Sequence, residues 1–380
     1  MKDDRSLVRP LSDVPSQSLA RMGYRLDPDS NVWRPENYKG FAYSDGDEEE
    51  KYIFDAIRTA RDVSCSSDEL PAKIKDWPSE YHLSPVRINL MAPFQIEPAT
   101  RVLELGCGMG TITRYLGETG AEVVAIEGSL QRAAITRERC RDLNNVHVVC
   151  DNFKEFRTDE KFDLVTLIGV MEYSPKFIGG KDPIGQCLAI VKNYLKPDGA
   201  VIIAIENRLG LKYWNNCAED HTGGMFDSIH DTYQPGTVAT LGYHELKRAL
   251  ATAGFASADF LFPFPDYKLP SVILHEESLE HKDISLAPII GQTFSRDYSG
   301  QPYRHFSERL AWHTIEKNGL IPYFSNSFLC VCTLSPDVRP PISRDWIVKI
   351  FNSCRYACFR TETTIFRKKG TNSIQVSKKR

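Results

Sequence analysis

Short apolar runs alternate with amphipathic segments through most of this chain. A run of four to eight apolar residues between turn signals predicts a buried strand, whereas apolar residues at helical spacing predict an amphipathic helix. The predicted strands cover residues 102–105, 123–127, 146–151, 162–169, 200–205, 257–262 and 327–333. The predicted helices lie near residues 110–118, 129–141, 183–195, 241–250 and 306–317. This alternation predicts an α/β fold built on a seven-stranded sheet.

The segments before the first strand have weaker patterns. Residues 1 to about 45 are rich in Pro, Ser, Asp and Tyr without periodicity, which indicates an extended or weakly ordered arm. An acidic first turn and helical spacing predict a helix over residues 48–60. A turn and a second helix, beginning near Ser84, are predicted to lead into the first strand.

The rest of the chain divides around the predicted sheet. Residues 1–98 precede it, residues 99–335 contain it, and residues 342–380 have strand-like runs that indicate a β-rich extension or the start of a further domain. The central part carries two insertions, at about 208–240 and 263–324. Long ordered insertions in a compact domain are usually functional. The sequence leaves open whether the natural chain continues beyond Arg380.

A glycine-rich turn follows the first predicted strand. Gly106, Gly108 and Gly110 let the backbone approach a ligand at the carboxyl end of that strand. Glu127 ends the next strand, 21 residues after Gly106, where a carboxylate can accept hydrogen bonds from two ribose hydroxyls. The pattern predicts a nucleotide-type cofactor pocket.

Two kinds of cofactor compete for this pocket. A dinucleotide fold needs G-x-G-x-x-G, but here the third glycine comes one residue early and Thr111 occupies its place. The G-x-G-x-G form, with Glu104 two positions before the first glycine, resembles motif I of the class I S-adenosylmethionine-dependent methyltransferases. The resemblance implies that Glu104 holds the methionine ammonium, that the glycines pass under the cofactor and that Glu127 binds the ribose.

The resemblance covers about residues 100–205 and implies a Rossmann-like seven-stranded methyltransferase sheet. It makes residues 99–335 the methyltransferase domain, with insertions after strands 5 and 6 and a β-rich C-terminal extension, and makes residues 1–98 an arm with a helical lid. Asp151 is expected at the adenine amino group. The remaining cofactor-binding candidates are Gly128, Asn152, Gly169 and, on the lid, Tyr81 and Arg87, with His82 beside them. The alternative for the lid is an ordinary packed helix.

A hydroxyl acceptor needs help to lose its proton, because an alkyl hydroxyl holds that proton tightly at neutral pH. The loops after strands 4 and 5 supply the catalytic candidates Glu172, Glu206 and His221, and neighbouring Asp220 predicts an oriented base. For His221 the alternative is a structural loop histidine, and for Glu206 it is a structural hydrogen bond to a helix start. Residues 169–175 lack the Asn/Asp-Pro-Pro-Tyr/Phe signature of amino methylation, which argues against adenine or glutamine as acceptor.

Composition narrows the partners. The chain has 380 residues and a formal net charge of −3, which gives no footprint for nucleic acid or an anionic membrane. The start of the chain has no apolar leader, and no apolar run is long enough to span a bilayer, so we expect a cytoplasmic protein without direct membrane insertion. Ten cysteines without disulfide spacing fit a reducing compartment. No metal is expected: the pairs Cys330/Cys332 and Cys354/Cys358 lie in apolar runs, where free thiols are commoner than zinc ligands.

A narrower resemblance concerns residues 81–85, 207–213, 219–221 and 265–270. These segments are similar to those of bacterial methyltransferases associated with glycosyltransferases in cell-surface polysaccharide assembly. The similarity implies O-methylation of a sugar hydroxyl on a glycan acceptor, with S-adenosyl-L-methionine as cofactor and glycosyltransferases as partners. Two alternatives stay open: a small-molecule or lipid-quinone O-methyltransferase, and a scaffold module of a larger glycan-assembly protein.

Overall fold

Strands from one end of the chain to the other join a single mixed sheet. The computed structural model describes residues 14–41, 43–44, 46–280, 283–297, 300, 303–367 and 373–380. Within them the strands are β1 (Tyr24–Leu26), β2 (Trp33–Pro35), β3 (Arg101–Leu105), β4 (Glu122–Glu127), β5 (Val146–Cys150), β6 (Phe162–Ile168), β7 (Leu195–Glu206), β8 (Ser257–Phe264), β9 (Val272–His275), β10 (Ser327–Thr333), β11 (Trp346–Asn352), β12 (Thr361–Arg367) and β13 (Ile374–Lys379).

Helices separate most of these strands. The described α-helices are α1 (Val14–Arg21), α2 (Asp47–Thr59), α3 (Trp77–Leu83), α4 (Thr111–Glu118), α5 (Leu130–Arg139), α6 (Ser174–Phe177), α7 (Pro183–Tyr194), α8 (Leu211–Trp214), α9 (Asp227–His230), α10 (Tyr243–Thr252), α11 (Ala287–Ile290), α12 (Glu308–Lys317) and α13 (Ile321–Phe324). None of the described helices is both long and apolar enough to cross a bilayer.

The centre of the sheet has the strand order β5-β4-β3-β6-β7-β10-β8. The first five of these strands run parallel, and β10 lies antiparallel between β7 and β8. All seven predicted strands are present in this core, and the predicted mixed α/β class is confirmed. In parallel strands the carboxyl ends meet at one edge, so the loops after β3, β4, β6 and β7 gather there.

The sheet does not stop at seven strands, which corrects the predicted size. At one edge β2 pairs with β5 through Trp33 and Val149. At the other edge β9 pairs antiparallel with β8, and β11, β12 and β13 continue beyond it. The C-terminal strands therefore extend the same sheet, because β9 presents an unpaired edge that β11 satisfies.

Both faces of the sheet are covered, as its side-chain alternation requires. In β3, Leu103 and Leu105 belong to the apolar cluster that includes residues of α7, α10 and α12, while Val102 belongs to the cluster that includes residues of α4 and α5. Each fully buried Leu or Val of this kind contributes about 1.5–3 kcal/mol relative to an exposed side chain. Glu104 lies on the same face as Val102 and is the one carboxylate of this strand.

The helix predicted to begin near Ser84 begins seven residues earlier, which is about two turns. The observed helix α3 starts after Asp76, whose carboxylate accepts a hydrogen bond from the backbone amide of Ser79 at 3.0 Å. Ser84 ends this helix, because Pro85 favours the extended conformation (φ −72°, ψ 133°) of the residue before it. A 3-10 helix over Arg87–Met91 follows.

The N-terminal arm is only partly as predicted. Residues 1–13 lie outside the described residues, but residues 14–35 form α1, β1 and β2 rather than an irregular arm. Tyr24 on β1 holds this segment against the rest of the domain, because its side chain is buried and its hydroxyl donates to Asp151 Oδ2 at 2.5 Å. The helix predicted over residues 48–60 is present as α2.

Candidate active site

A cavity of about 360 Å³ opens at the carboxyl ends of the parallel strands. This volume lies in the range of small-molecule sites. The residues that line it include most of the predicted site residues: Tyr81, Arg87, Glu104, Gly106, Gly108, Glu127, Gly128, Asp151, Asn152, Gly169, Glu172, Glu206 and His221. Gly110 is the exception.

The glycine turn and Glu127 are joined by hydrogen bonds. The Gly108 amide donates to Glu127 Oε2 at 2.9 Å, and the Ser129 amide donates to Oε1 at 3.0 Å. Gly110 lies at the start of α4 with φ +79°, and a Cβ there would stand 2.9 Å from the Thr136 backbone in α5. Glycine at position 110 therefore allows α4 to pack closely on α5, whereas Gly106 and Gly108 line the cavity.

Glu104 shows that the cavity fits the cofactor implied by the sequence. The side chain is only 4% exposed, and its Oε2 accepts no hydrogen bond from the described residues. Burial raises the pKa of Glu104 to about 7. A buried carboxylate without a full set of partners is costly, and a bound ammonium group removes that cost. The methionine end of S-adenosylmethionine carries such a group.

We expect the affinity for S-adenosylmethionine to fall as the pH drops through 7. Glu104 must be ionised to pair with the ammonium, and its pKa of about 7 makes it largely protonated at pH 5.5. Linkage then weakens binding about 20-fold between pH 7.5 and 5.5. Calorimetry at several pH values measures this change. The Glu104→Gln variant should bind weakly at every pH and lose the dependence; an unchanged slope in that variant would assign the titration to another group.

The adenine end of the predicted site is built around Asp151. Besides the bond from Tyr24, Asp151 Oδ1 accepts from the Asn152 amide at 2.8 Å. Burial raises the pKa of Asp151. Each carboxylate oxygen has a second lone pair, so these bonds leave capacity for an amino group of a ligand.

Aromatic residues of the N-terminal arm cover this end, which the sequence analysis missed. The Phe41 ring packs against Gly128, where any Cβ would stand 2.5 Å from a ring atom. It also lies 4.5 Å from the Phe177 ring, centroid to centroid. Tyr43 packs against Tyr173 at 5.5 Å. The signal in the sequence is the cluster of aromatic residues at 38, 41 and 43 within an otherwise polar segment.

The predicted lid residues Tyr81 and Arg87 lie on α3 and on the 3-10 helix that follows it, and both line the cavity. The Arg87 guanidinium lies 4.6 Å from the centre of the Tyr81 ring. Its Nη1 donates to the carbonyls of Tyr267 and Lys268 at 2.9 and 3.0 Å. Arg87 thus ties the lid to the loop after β8. His82 also lines the cavity, and its carbonyl accepts a bond from Thr111 Oγ1.

The three predicted catalytic residues meet in the lining of the same cavity. His221 Nε2 lies 3.8 Å from Glu172 Oε1 and 3.8 Å from Glu206 Oε2. His221 Nδ1 is 2.9 Å from Glu219 Oε1, so Glu219 orients the ring. The prediction that Asp220 does this is wrong. Asp220 accepts bonds from Lys212 at 2.7 Å and Lys268 at 2.5 Å, because neighbouring residues of the loop point in different directions.

Opposing charges set the ionisation of this cluster. Burial raises the pKa of Glu172 to about 7, with a contribution from the Glu206 carboxylate. Burial also opposes ionisation of Glu206 and Asp220, but a nearby lysine holds the pKa of each carboxyl group low. This lysine is Lys268 for Glu206 and Lys212 for Asp220. For His221, burial is outweighed by the carboxylates around it, Glu206 first, and its pKa lies well above the usual value.

Two lysines in this cluster were not anticipated from the sequence. Lys212 is fully buried in α8, and Lys268 follows β8 and donates to both Glu206 and Asp220. A buried lysine within a polar loop has no local signature, since its partners come from other loops. The cysteines considered for zinc do not gather: Cys330 and Cys332 are buried in β10, whereas Cys354 and Cys358 are exposed.

Comparison with known proteins identifies the domain around the cavity. A family model described as a methyltransferase domain matches residues 103–201. The ubiquinone biosynthesis O-methyltransferase of Pasteurella multocida is 28% identical over 153 residues, which cover 37% of this chain and 60% of that protein. The cyclopropane-fatty-acyl-phospholipid synthase of Escherichia coli is 27% identical over 110 residues, covering 29% of this chain and 27% of that protein. The chain thus spans less than two thirds of the length of each of these relatives.

A solved S-adenosylmethionine-dependent methyltransferase of Mesorhizobium loti matches with a TM-score of 0.39 and 15% identity, covering 64% of this chain and 95% of that one. The family match covers β3 to the middle of β7, the segment that carries Glu104, the glycine turn, Glu127 and Asp151. Residues 103–201 thus match a methyltransferase domain, and S-adenosylmethionine is the methyl donor that this match implies.

Proposed function

We propose that the protein is an O-methyltransferase that methylates a sugar hydroxyl during bacterial surface glycan biosynthesis. The observation that carries the proposal is that one cavity is lined by two chemically different groups of residues, which we call its cofactor end and its acceptor end. Glu104, Glu127 and Asp151 lie at the cofactor end. Glu172, Glu206 and His221 lie at the other end, where an acceptor would meet the methyl group that S-adenosylmethionine supplies when bound.

The acceptor end supports a hydroxyl as the nucleophile. In-line methyl transfer requires mainly that the reacting groups be held close and aligned. An alkyl hydroxyl requires activation as well, because it is a poor nucleophile while it keeps its proton. The cluster of Glu172, Glu206 and His221 provides groups for that activation within the cavity itself.

The polarity of the acceptor end supports a sugar. Besides the cluster, Asp220, Tyr173 and Lys268 line this part of the cavity, and together they offer both donors and acceptors of hydrogen bonds. Vicinal hydroxyls of a sugar can use both kinds of group. The segment 265–270, which is one of those that carry the narrower resemblance, contributes Tyr267 and Lys268 to the lining. Glycosyltransferases remain the proposed partners, as suppliers of the glycan.

A second candidate is a lipid-quinone O-methyltransferase. The similarity to the Pasteurella multocida enzyme and the aromatic side chains of Phe41, Tyr43 and Phe177 in the cavity favour it. A phenolic hydroxyl, however, needs less activation than an alkyl hydroxyl, so it leaves the buried acid–base cluster without a purpose. A scaffold role is disfavoured, because the residues expected to bind the cofactor are all present.

Transfer of a labelled methyl group to a panel of acceptors tests the proposal. We expect label on mono- and disaccharides but not on catechols or prenylated phenols, since the acceptor end is polar. The product should resist mild alkali, because an ether forms and not an ester. Label on the phenols alone would establish the second candidate. A protein that binds S-adenosylmethionine but labels no member of either class would point to the scaffold role.

A further inference from the structure

Two buried carboxylates at the acceptor end lack the hydrogen bonds that their burial demands. Glu172 is 1% exposed, and neither of its carboxylate oxygens accepts a hydrogen bond from the described residues. Glu206 is fully buried, and its Oε2 likewise has no hydrogen-bond donor among them. Such groups are rare in folded proteins and point to a bound species. Both side chains line the cavity.

The unpartnered oxygens converge on one point with His221. One oxygen from each carboxylate and one ring nitrogen of His221 all lie within 4.8 Å of one another. Ligands that bind one ion at about 2.1 Å stand about 3.0–3.4 Å apart at octahedral or tetrahedral angles. The observed separation of 3.8 Å between Nε2 and each glutamate oxygen is only slightly larger. A small inward movement of three side chains would complete the set.

The orientation of His221 supports the same assignment. Its Nδ1 faces Glu219 Oε1 at 2.9 Å, which leaves Nε2 directed at the two unpartnered oxygens. A histidine that binds a metal typically donates its other ring N–H to a carboxylate, which holds the ring and its tautomer. Glu219 is placed to accept that bond.

The charges of the cluster leave room for a cation. Five carboxylates lie here, on Glu172, Glu206, Glu219, Asp220 and Asp266, together with the ammonium groups of Lys212 and Lys268. A protonated His221 would supply one more positive charge, but its Nε2–H would then donate a bond at about 2.7–3.2 Å. At 3.8 Å from both glutamates it makes no such bond.

We infer that Glu172, Glu206 and His221 bind one divalent transition-metal ion at the acceptor end of the cavity. One imidazole and two carboxylates suit Mn²⁺ or Zn²⁺ better than Mg²⁺, which prefers oxygen ligands alone. The chemical role rests on the proposed function: an acceptor hydroxyl bound to the ion has a lowered pKa. Its O–H bond breaks, the proton passes to solvent, and an O–CH₃ bond forms as the S–CH₃ bond breaks.

Titration of the protein with Mn²⁺ alone, followed by electron paramagnetic resonance, tests the site without cofactor or acceptor. We expect one ion per chain, displaced by Zn²⁺, with affinity reduced at least tenfold in Glu172→Gln and His221→Ala. Glu122→Gln, at the opposite end of β4, is the matched control and should bind as the natural protein does. Retained S-adenosylmethionine affinity shows that each variant is folded. The inference is overturned if the natural protein binds neither Mn²⁺ nor Zn²⁺, or if both variants bind Mn²⁺ as tightly as the natural protein does.

Removal of metal separates this inference from the proposed function. Dialysis against a chelator should lower the rate of methyl transfer at least tenfold, and added Mn²⁺ should restore it. An ion that binds at the three residues while chelation leaves the rate unchanged would overturn the activating role. If the ion binds but neither acceptor class is methylated, the proposed function fails and the site stands.

Discussion

Replacement of Glu127 by alanine is expected to weaken S-adenosylmethionine binding by about two orders of magnitude or more. The carboxylate is placed to accept bonds from the ribose hydroxyls, and hydrogen bonds to a charged group contribute about 1.5–3 kcal/mol each. It also accepts bonds from the Gly108 and Ser129 amides, so its loss loosens the turn that carries the cofactor. Both effects act in the same direction.

Calorimetry and thermal unfolding distinguish loss of the site from loss of the fold. Glu122→Ala changes the same residue type at the start of the same strand, far from the cavity edge, and should bind normally. Gly108→Arg should also abolish binding, because the arginine side chain would fill the turn. Even a Cβ at this position would stand 3.1 Å from Arg132 Nη2. Normal affinity in both Glu127→Ala and Gly108→Arg would contradict the assignment of the cofactor end.

The His221→Ala variant is expected to lose about 10²–10⁴-fold in kcat while its affinity for S-adenosylmethionine changes less than about threefold. Activation of the acceptor is worth that much in comparable enzymes. The imidazole lies at the acceptor end with Glu172 and Glu206, and the cofactor groups Glu104, Glu127 and Asp151 remain intact. The effect should therefore fall on turnover and not on cofactor binding.

Single-turnover measurements with a saturating acceptor separate the chemical step from binding. The control is His230→Ala, which removes a histidine from the same insertion and should leave kcat unchanged. Turnover by His221→Ala at the natural rate would remove this residue from the activating cluster and make its role structural. A parallel loss of S-adenosylmethionine affinity would instead indicate that the loop around residue 221 had collapsed.

The predicted strands were placed closely because each depends on local periodicity. Residues 102–105, 123–127 and 162–169 were predicted from apolar runs between turn signals, and the structure has β3, β4 and β6 there. Glu127 was predicted from its position at the end of a strand, and Glu104 from the resemblance to motif I of the class I S-adenosylmethionine-dependent methyltransferases. The glycine turn was readable for the same reason, since its residues are adjacent in the chain and need no distant partner.

The errors occurred where distant residues decide. Helix α3 begins at an Asp76–Ser79 capping box, which competes with the later start that the apolar spacing favoured. The order of residues 14–35 depends on Tyr24 reaching Asp151, more than a hundred positions away. Asp220 next to His221 suggested a pair, but the loop turns them apart and Asp220 meets two lysines instead.

The sequence by itself determined the α/β alternation and the glycine turn, because strand period and turn chemistry are properties of neighbouring residues, and it predicted the carboxylates of the cofactor end. Only the tertiary structure decided which groups surround His221. Glu172 follows β6, Glu206 and Glu219 lie at and after the end of β7, and Lys268 follows β8. They meet because these strands bring their carboxyl ends to one edge. The direction of each loop side chain depends on packing against the others, which no local pattern records.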